Sequence, residues 1–275
     1  EVLEPLKKLK INLDDKEANI SADITYEGRF EAIQEPKMTL SNGPRLVMDT
    51  TRLTQHGNWT GNINLQNEEI TLDSKSYYGT RDRSWGIRPV GAPDSQPMTP
   101  FELPQFYWLW CPTNFEDFST HMYFVDDAEG SLLNGHSVLQ SKAFNKNELL
   151  SNLTKSVSYI SGTRRISAAE FKAHRQNGQE VNLLIEPQYN VFMCGLGYMH
   201  QEWGHGQFKG ENESCYDTYD LNDDPHDPPF LHIQAMCKIT YREGNSKKYG
   251  VGVLEQLFIG AHEPSGFKDL LDGSK

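Results

Sequence analysis

The sequence has no Cys-x-x-Cys pair, no apolar run near the roughly 18 residues that cross a bilayer as a helix, no glycine-rich turn opening a helix, and fewer cations than anions. Each absence closes a class of function. The four cysteines, Cys111, Cys194, Cys215 and Cys237, stand too far apart for a zinc ribbon; reduced core thiols and one or two disulfides both remain open. Without a long apolar run no membrane span is expected. With 26 Lys and Arg against 38 Asp and Glu, the formal charge of -12 disfavours nucleic acid and anionic lipid, which are bound through clustered cations. Neither Gly-rich motif opens a helix that could cradle phosphate, and no G-x-S-x-G elbow is present.

Metal ligation is also disfavoured. HQEWGH (200–205) holds His200, Glu202 and His205, but its histidines are five apart and flanked by glycines, where a zincin needs two histidines four apart on one helical face. The acidic stretch DLNDDPHD (220–227) lacks EF-hand spacing. No metal and no cofactor is expected. Asn-x-Ser/Thr sequons begin at Asn19, Asn58, Asn152 and Asn212, which matter only to a secreted chain. No signal peptide is visible and the chain starts at Glu1. A cytoplasmic location is expected, with a secreted or periplasmic one as the alternative.

What the chain has in quantity is strand. Apolar or alternating runs bounded by Gly, Asn, Asp and Pro occur at 9–13, 20–33, 45–54, 59–65, 105–111, 121–125, 181–194, 231–241 and 250–260, and they are rich in β-branched and aromatic residues. KNELLSNLTKSV (146–157) reads as a helix of about three turns. SAAEFKAHRQNG (167–178) reads either as a Ser-capped helix or as a strand leading to a turn. The expected class is mainly β, built from antiparallel barrels or sandwiches.

One motif repeats. Gly79-TRDRS-Trp85-Gly86 is echoed by Gly197-YMHQE-Trp203-Gly204, and each is followed by a loop rich in Pro or Asp and then by two strands. The echo implies two tandem domains, 1–143 and 144–275, against the alternative of one large sandwich with two unrelated Trp-Gly turns. If both motifs face one cleft, Asp82 stands opposite His200, and Ser84 opposite Glu202. Strand alternation turns Asp82 away from Arg81 and Arg83. Burial among aromatics would keep its proton on, and cationic neighbours would take it off. Asp82 is then either a general acid or the charged pin of a barrel corner, with His200 and Glu202 as the candidate base and its orienting partner.

YYGTRDRSWGIRP (77–89), with EPKMTL (35–40), FYWLWCPTNF (106–115), GYMHQEWGHG (197–206) and GVLEQLFIG (252–260), resembles the bacterial lipocalin-like superfamily of AttH and the carotenoid 1,2-hydratases, in a branch carrying the GTRDRSWG signature. The resemblance implies two lipocalin-like domains with a hydrophobic small molecule between or within the barrels. It also implies a first barrel that begins before residue 1, left incomplete or completed by a partner, as in a homodimer. The implied activity is that of a cofactor-independent lyase, hydratase or isomerase acting on a terpenoid-, steroid- or polyketide-like substrate. Asp82 would deliver a proton to carbon; Tyr78, Trp85 and Trp203 would line the cation, His200 with Glu202 would activate water, and Arg81, Trp108, Trp110 and His205 would complete the pocket. The hydratases carry His on both sides of the Asp, where this chain has Arg81 and Arg83. The alternative function is a non-catalytic binding protein for such a molecule.

Overall fold

The structure is a computed structural model that describes residues 1–88, 90, 104–143, 147–211 and 213–275. Most of the proline-rich loop after Arg88, part of the expected boundary near 143 and the Asn212 sequon lie outside the described residues.

Two antiparallel sheets carry the chain. The first is built from β1 (Val2–Glu4), β2 (Lys8–Asp15), β3 (Ile20–Gly28), β4 (Ile33–Gln34), β5 (Met38–Asn42), β6 (Arg45–Leu65), β7 (Glu68–Leu72) and β8 (Tyr78–Ile87). Its spine is β6, 21 residues long, which pairs with β3, β4, β5, β7 and β8 in turn. The sequence divides this strand into two runs. The pairing shows that the interruption QHGN, Gln55 to Asn58, is continuous strand, with Gln55, His56 and Gly57 buried.

The second sheet comprises β9 (Phe106–Asn114), β10 (Phe118–Asp126), β11 (Leu132–Ser141), β12 (Glu148–Leu149), β13 (Ser151–Tyr159), β14 (Ile166–His174), β15 (Glu180–Phe192), β16 (Ile233–Glu243) and β17 (Ser246–Ile259), in the order β12-β11-β10-β9-β17-β16-β15-β14-β13. Its two ends approach each other where Leu150 N–H donates to the Ser137 carbonyl at 2.9 Å, so the sheet is a nearly closed barrel. The barrel is filled by Leu109, Cys111, Met122, Phe124, Phe171, Leu183 and Ile239 among others. Strand alternation turns Trp108, Trp110, Tyr123 and Val125 outward, where they pack on Met38, Leu40 and Met48 of the first sheet. With both faces covered, Phe106 to Cys111 of β9 and Met122 to Val125 of β10 read as unbroken apolar runs.

The structure decides between several of the sequence readings. The strands spanning 106–141 belong to the same sheet as those spanning 148–259. Within the helix expected over 146–157, Glu148–Leu149 and Ser151 onward are strand: Leu153, Lys155, Val157 and Tyr159 alternate inward, a period of two that the apolar count over the window conceals. SAAEFKAH is likewise strand, in β14. The four cysteines are free thiols, with Cys111, Cys194 and Cys237 buried and Cys215 exposed. Among the described residues no helix is long and apolar enough to cross a membrane.

The two glycines of GTRDRSWG have separate reasons. A side chain at Gly79 would run into the Trp59 indole, and Gly86 sits at φ +124°, where an added β-carbon would run into the Asp49 carbonyl.

Candidate functional site

The site lies between the sheets. From the first, the β6–β8 register sets Arg52 beside Ser84, Thr54 beside Asp82 and His56 beside Thr80, all on one face. From the barrel, outward-facing side chains of β9, β10, β11, β16 and β17 meet that face. Polar groups buried at such an interface need partners, and here they converge on two carboxylates.

Glu35 Oε1 accepts from Thr54 Oγ1 (2.7 Å), Trp110 Nε1 (3.1 Å) and His121 Nε2 (3.0 Å). Glu255 repeats the pattern, its Oε1 accepting from Trp108 Nε1 (2.9 Å) and His232 Nε2 (3.0 Å) and its Oε2 from Gln234 Nε2 (2.7 Å). Two Trp-Glu-His trios thus lie at the interface between the sheets. Burial alone would push Glu35 up, but the His121 contact, the Arg52 charge and the Thr54 bond outweigh it and hold the carboxyl at about 2. Glu255 is likewise held down, its burial outweighed chiefly by His232.

Arg52 lies between the trios, its guanidinium 4.7 Å from the Trp108 ring centroid and its Nε 3.5 Å from Asp82 Oδ1. That distance makes an ion pair but is long for a hydrogen bond. Asp82 answers differently from the glutamates. Burial by the surrounding protein raises its carboxyl to about 6; Arg52 and Arg88 oppose the rise, while Glu255 and Glu35 add to it. Its side chain nevertheless keeps 45% of its exposure. Asp82 is therefore a carboxyl that holds its proton up to near neutrality and is reachable from outside.

Imidazoles crowd the same interface. Burial drives His56 down to about 3, helped by the His121 charge and countered by its Gln140 contact (Nδ1 to Oε1, 3.0 Å). Burial likewise drives His136 down to about 4. His56 Nε2, His121 Nδ1, His136 Nδ1 and His232 Nδ1 are buried without a partner among the described residues. Orphaned ring nitrogens at one interface are what a polar ligand or bound water would satisfy.

The second Trp-Gly motif reaches this cleft through other residues than those expected. Arg88 at the end of β8 donates to Ser84 Oγ (2.6 Å) and to Tyr198 OH (3.0 Å). The Tyr198 ring lies 4.6 Å from His205 and 4.8 Å from His232, and burial with the Arg88 charge lowers the His205 pKa. His200 does not take part. Its Nδ1 accepts the backbone N–H groups of Glu202 (3.0 Å) and Trp203 (2.8 Å), so the ring proton sits on Nε2, which faces Asp217 Oδ2 at 3.2 Å. Both nitrogens of His200 are thus engaged within its own turn and with Asp217. Glu202 is exposed and meets His200 only through its backbone.

Of the other expected residues, Trp108 and Trp110 line the cleft through their trios, and His205 stands at its edge on Tyr198. Tyr78 shares the Asp82 face of β8, its ring 4.7 Å from the Arg29 guanidinium. Arg81 and Trp85 do not join Asp82: they occupy the other face of β8, where Arg81 influences Tyr26 and the Trp85 ring is 48% exposed and 5.7 Å from the Arg83 guanidinium. Trp203 covers Lys209 in the loop. Nor are the two motifs structural equivalents, since GTRDRSWG is strand whereas GYMHQEWGHG follows a 3-10 turn, Met193–Leu196, ended by Gly197 at φ 94°. Sequence reading passed over Glu35, Arg52, His56, His121, Tyr198, His232 and Glu255. The available signal was a lone charge or imidazole inside an apolar strand, as in GVLEQLF and HMYFV. Among the described residues no cluster could hold a metal ion.

Comparison with known proteins adds a family. The model of a family of unknown function (DUF8625) matches residues 1–268. The chain belongs to that family. No curated protein matches it in sequence. In fold it is similar to the crystal structure of kievitone hydratase from Nectria haematococca, at 13% identity and a TM-score of 0.50, over 92% of this chain and 65% of that one. It is also similar to the crystal structure of CghA with Sch210972, at 9% identity and a TM-score of 0.53, again over 92% and 65%. A further structure of CghA matches with a TM-score of 0.52 at 9% identity and the same coverage. The chain spans 65% of the length of these structures, and at such identities the likeness is one of fold. A hydratase stands among the proteins that share the fold.

Proposed function

We propose that the protein is a cofactor-independent lyase, hydratase or isomerase that protonates a hydrophobic, terpenoid-, steroid- or polyketide-like substrate in the cleft between the sheets, with Asp82 as the acid. The observation that carries this reading is the contrast among three carboxyls around one guanidinium: Glu35 and Glu255 are held ionised by their hydrogen bonds, while Asp82, with no such donor among the described residues, is raised to about 6 and open to solvent. Separated carboxyl pKa values are what general acid chemistry at neutral pH requires. Trp108, Tyr123 and Tyr198 offer aromatic faces to a developing cation, and the two ionised glutamates balance its charge. His232 and His136, each with an unpartnered ring nitrogen, are placed to accept the proton that a hydration or isomerisation returns. The fold shared with kievitone hydratase and CghA agrees with such chemistry and does not specify the substrate.

The test is incubation of the protein in D2O with kievitone and with terpenoid, steroid and polyketide alkenes, followed by mass spectrometry. One deuterium on carbon, with or without a net gain of water, is the expected result. The rate should fall about tenfold per pH unit as pH rises above about 6 and Asp82 loses its proton. Tight binding of one of these compounds with no exchange at any pH would favour the binding-protein reading instead.

A further inference from the structure

Beyond the stretch of β6 that pairs with β8, the first sheet runs on as β2, β3, the C-terminal half of β6 and β7, and there its two faces differ in kind. The ladders set Leu13, Ala22, Ile63 and Ile70 in one row across four strands, and Ile11, Ile24, Gly61 and Leu72 in the next. The alternate residues, among them Lys10, Asn12, Asp23, Asn62 and Asn64, point the other way. A sheet patterned like this buries its apolar face against a second layer. Here Ile11, Leu13 and Leu65 are 45%, 46% and 39% exposed, and among the described residues no side chain of β2, β3 or β7 joins a buried hydrophobic cluster.

The size and the charges of this face indicate what covers it. Strands of 8, 9 and 5 residues in β2, β3 and β7, with the matching stretch of β6, give roughly 500 Å² in projection at about 3.3 Å per residue and 4.8 Å per strand. Side-chain relief brings the accessible area toward the ~800 Å² per partner of a standard specific interface. The two ends of the face carry opposite charge. At one end Gly79 lies against Trp59, so Arg81 and Arg83 alternate onto the same face, and Arg83 is exposed with no carboxylate partner among the described residues. At the other end Asp14, Asp15 and Glu17 flank Lys16 around the β2–β3 turn, and Glu68, exposed and opposite Leu65, opens β7.

A partner with an apolar sheet face of equal size and the same charges in reverse order is a second copy of this chain turned end for end. We propose that two copies pack these faces together about a twofold axis that lies in the plane of the sheets and perpendicular to their strands, as the layers of a β-sandwich about 10 Å apart. Turned this way, the Arg83 end of each copy lies over the Glu68 end of the other. An axis along the strands would instead set like charges together. The two central rows hold no charged side chain, so packing them buries no unpaired charge. The dimer is independent of the acid chemistry proposed for Asp82, which stands on the opposite face of β8 from Arg81 and Arg83.

Sedimentation velocity of the full chain tests this. At about 50 µM, above the micromolar-to-picomolar range of dissociation constants for interfaces of this size, the chain is expected to run as a dimer. Ile63→Lys sets an ammonium in a central row of both copies and should weaken the dimer about a hundredfold, whereas Asn62→Lys, on the opposite face, should leave it intact. Arg83→Glu and Glu68→Arg should each weaken self-association about tenfold through like charges brought together. An equimolar mixture of the two should recover the affinity of the parent protein, because each carries the end that the other has reversed. Both of these side chains are exposed, so the test stands even if Ile63→Lys does not fold. A monomer at this concentration, a dimer unmoved by Ile63→Lys, or no recovery in the mixture would each overturn the proposal. A monomer that floats instead with phosphatidylcholine vesicles would overturn it in favour of a lipid surface.

Discussion

Replacing Asp82 by Asn is expected to cut deuterium incorporation and turnover by about 10²–10⁴-fold, the usual contribution of a positioned acid, without weakening the fold. The two halves of that outcome come from one property. A carboxyl raised to about 6 is destabilised as an anion at pH 7.5, so removing the ionisable group relieves the folded state. The sign follows from linkage: the unfolded group ionises near 3.8 and the folded one near 6, so the unfavourable contribution is absent at low pH and complete above pH 6. With the side chain 45% exposed, solvent screening trims the gain to about 1 kcal/mol or less. Melting curves of the variant at pH 7.5 should therefore match or exceed those of the parent protein. If Asp82 were instead an ionised pin for Arg52, the same change would lower the melting temperature. Activity lost without stability lost marks a functional carboxyl.

Glu35→Ala is the largest stability change expected of the cleft, a loss of about 3–5 kcal/mol read from denaturant unfolding. Three donors, Thr54 Oγ1, Trp110 Nε1 and His121 Nε2, converge on one oxygen of a side chain that is 4% exposed, and Ala leaves all three buried with nothing to meet. Against the typical 5–15 kcal/mol stability of a domain, that is a large share. Glu35→Gln separates geometry from charge. Because all three bonds end on Oε1, the Gln carbonyl can accept them, and the fold should lose far less. The anion that helps raise Asp82 is gone, so the Asp82 carboxyl should titrate lower in this variant.

How much of this was legible in the sequence follows from the range over which each signal acts. Strand class was legible because alternation is local, and Asp82 because a lone carboxylate among arginines and aromatics is conspicuous in seven residues, Gly79 to Trp85. Trp108 and Trp110 were visible for the same reason. The partners of Asp82 were not, since Glu35, Arg52, His121, His232 and Glu255 come from five segments that only sheet register and inter-sheet packing bring together. The echo between Gly79-TRDRS-Trp85-Gly86 and Gly197-YMHQE-Trp203-Gly204 draws attention to both segments, but equal spacing does not fix backbone conformation. One is strand and one is a turn, so position-by-position overlay set His200 opposite Asp82 when Tyr198 is the residue that Arg88 ties to the cleft. Residues 146–157 were misread as helix because Leu149, Leu150 and Leu153 fit a helical stripe as well as they fit a strand, and only the partners in β11 and β14 decide it.

The protonation of Asp82 near neutrality underlies both the proposed acid chemistry and the stability effect, and it can be measured without knowing the substrate. Carbon-detected NMR titration of the Asp82 carboxyl, assigned by its absence in Asp82→Asn, should give a midpoint near pH 6 that moves down in Glu35→Gln. A midpoint below about 4, the ordinary Asp value or less, and indifferent to Glu35 would make Asp82 an ion-paired corner of the sheet and contradict its role as an acid.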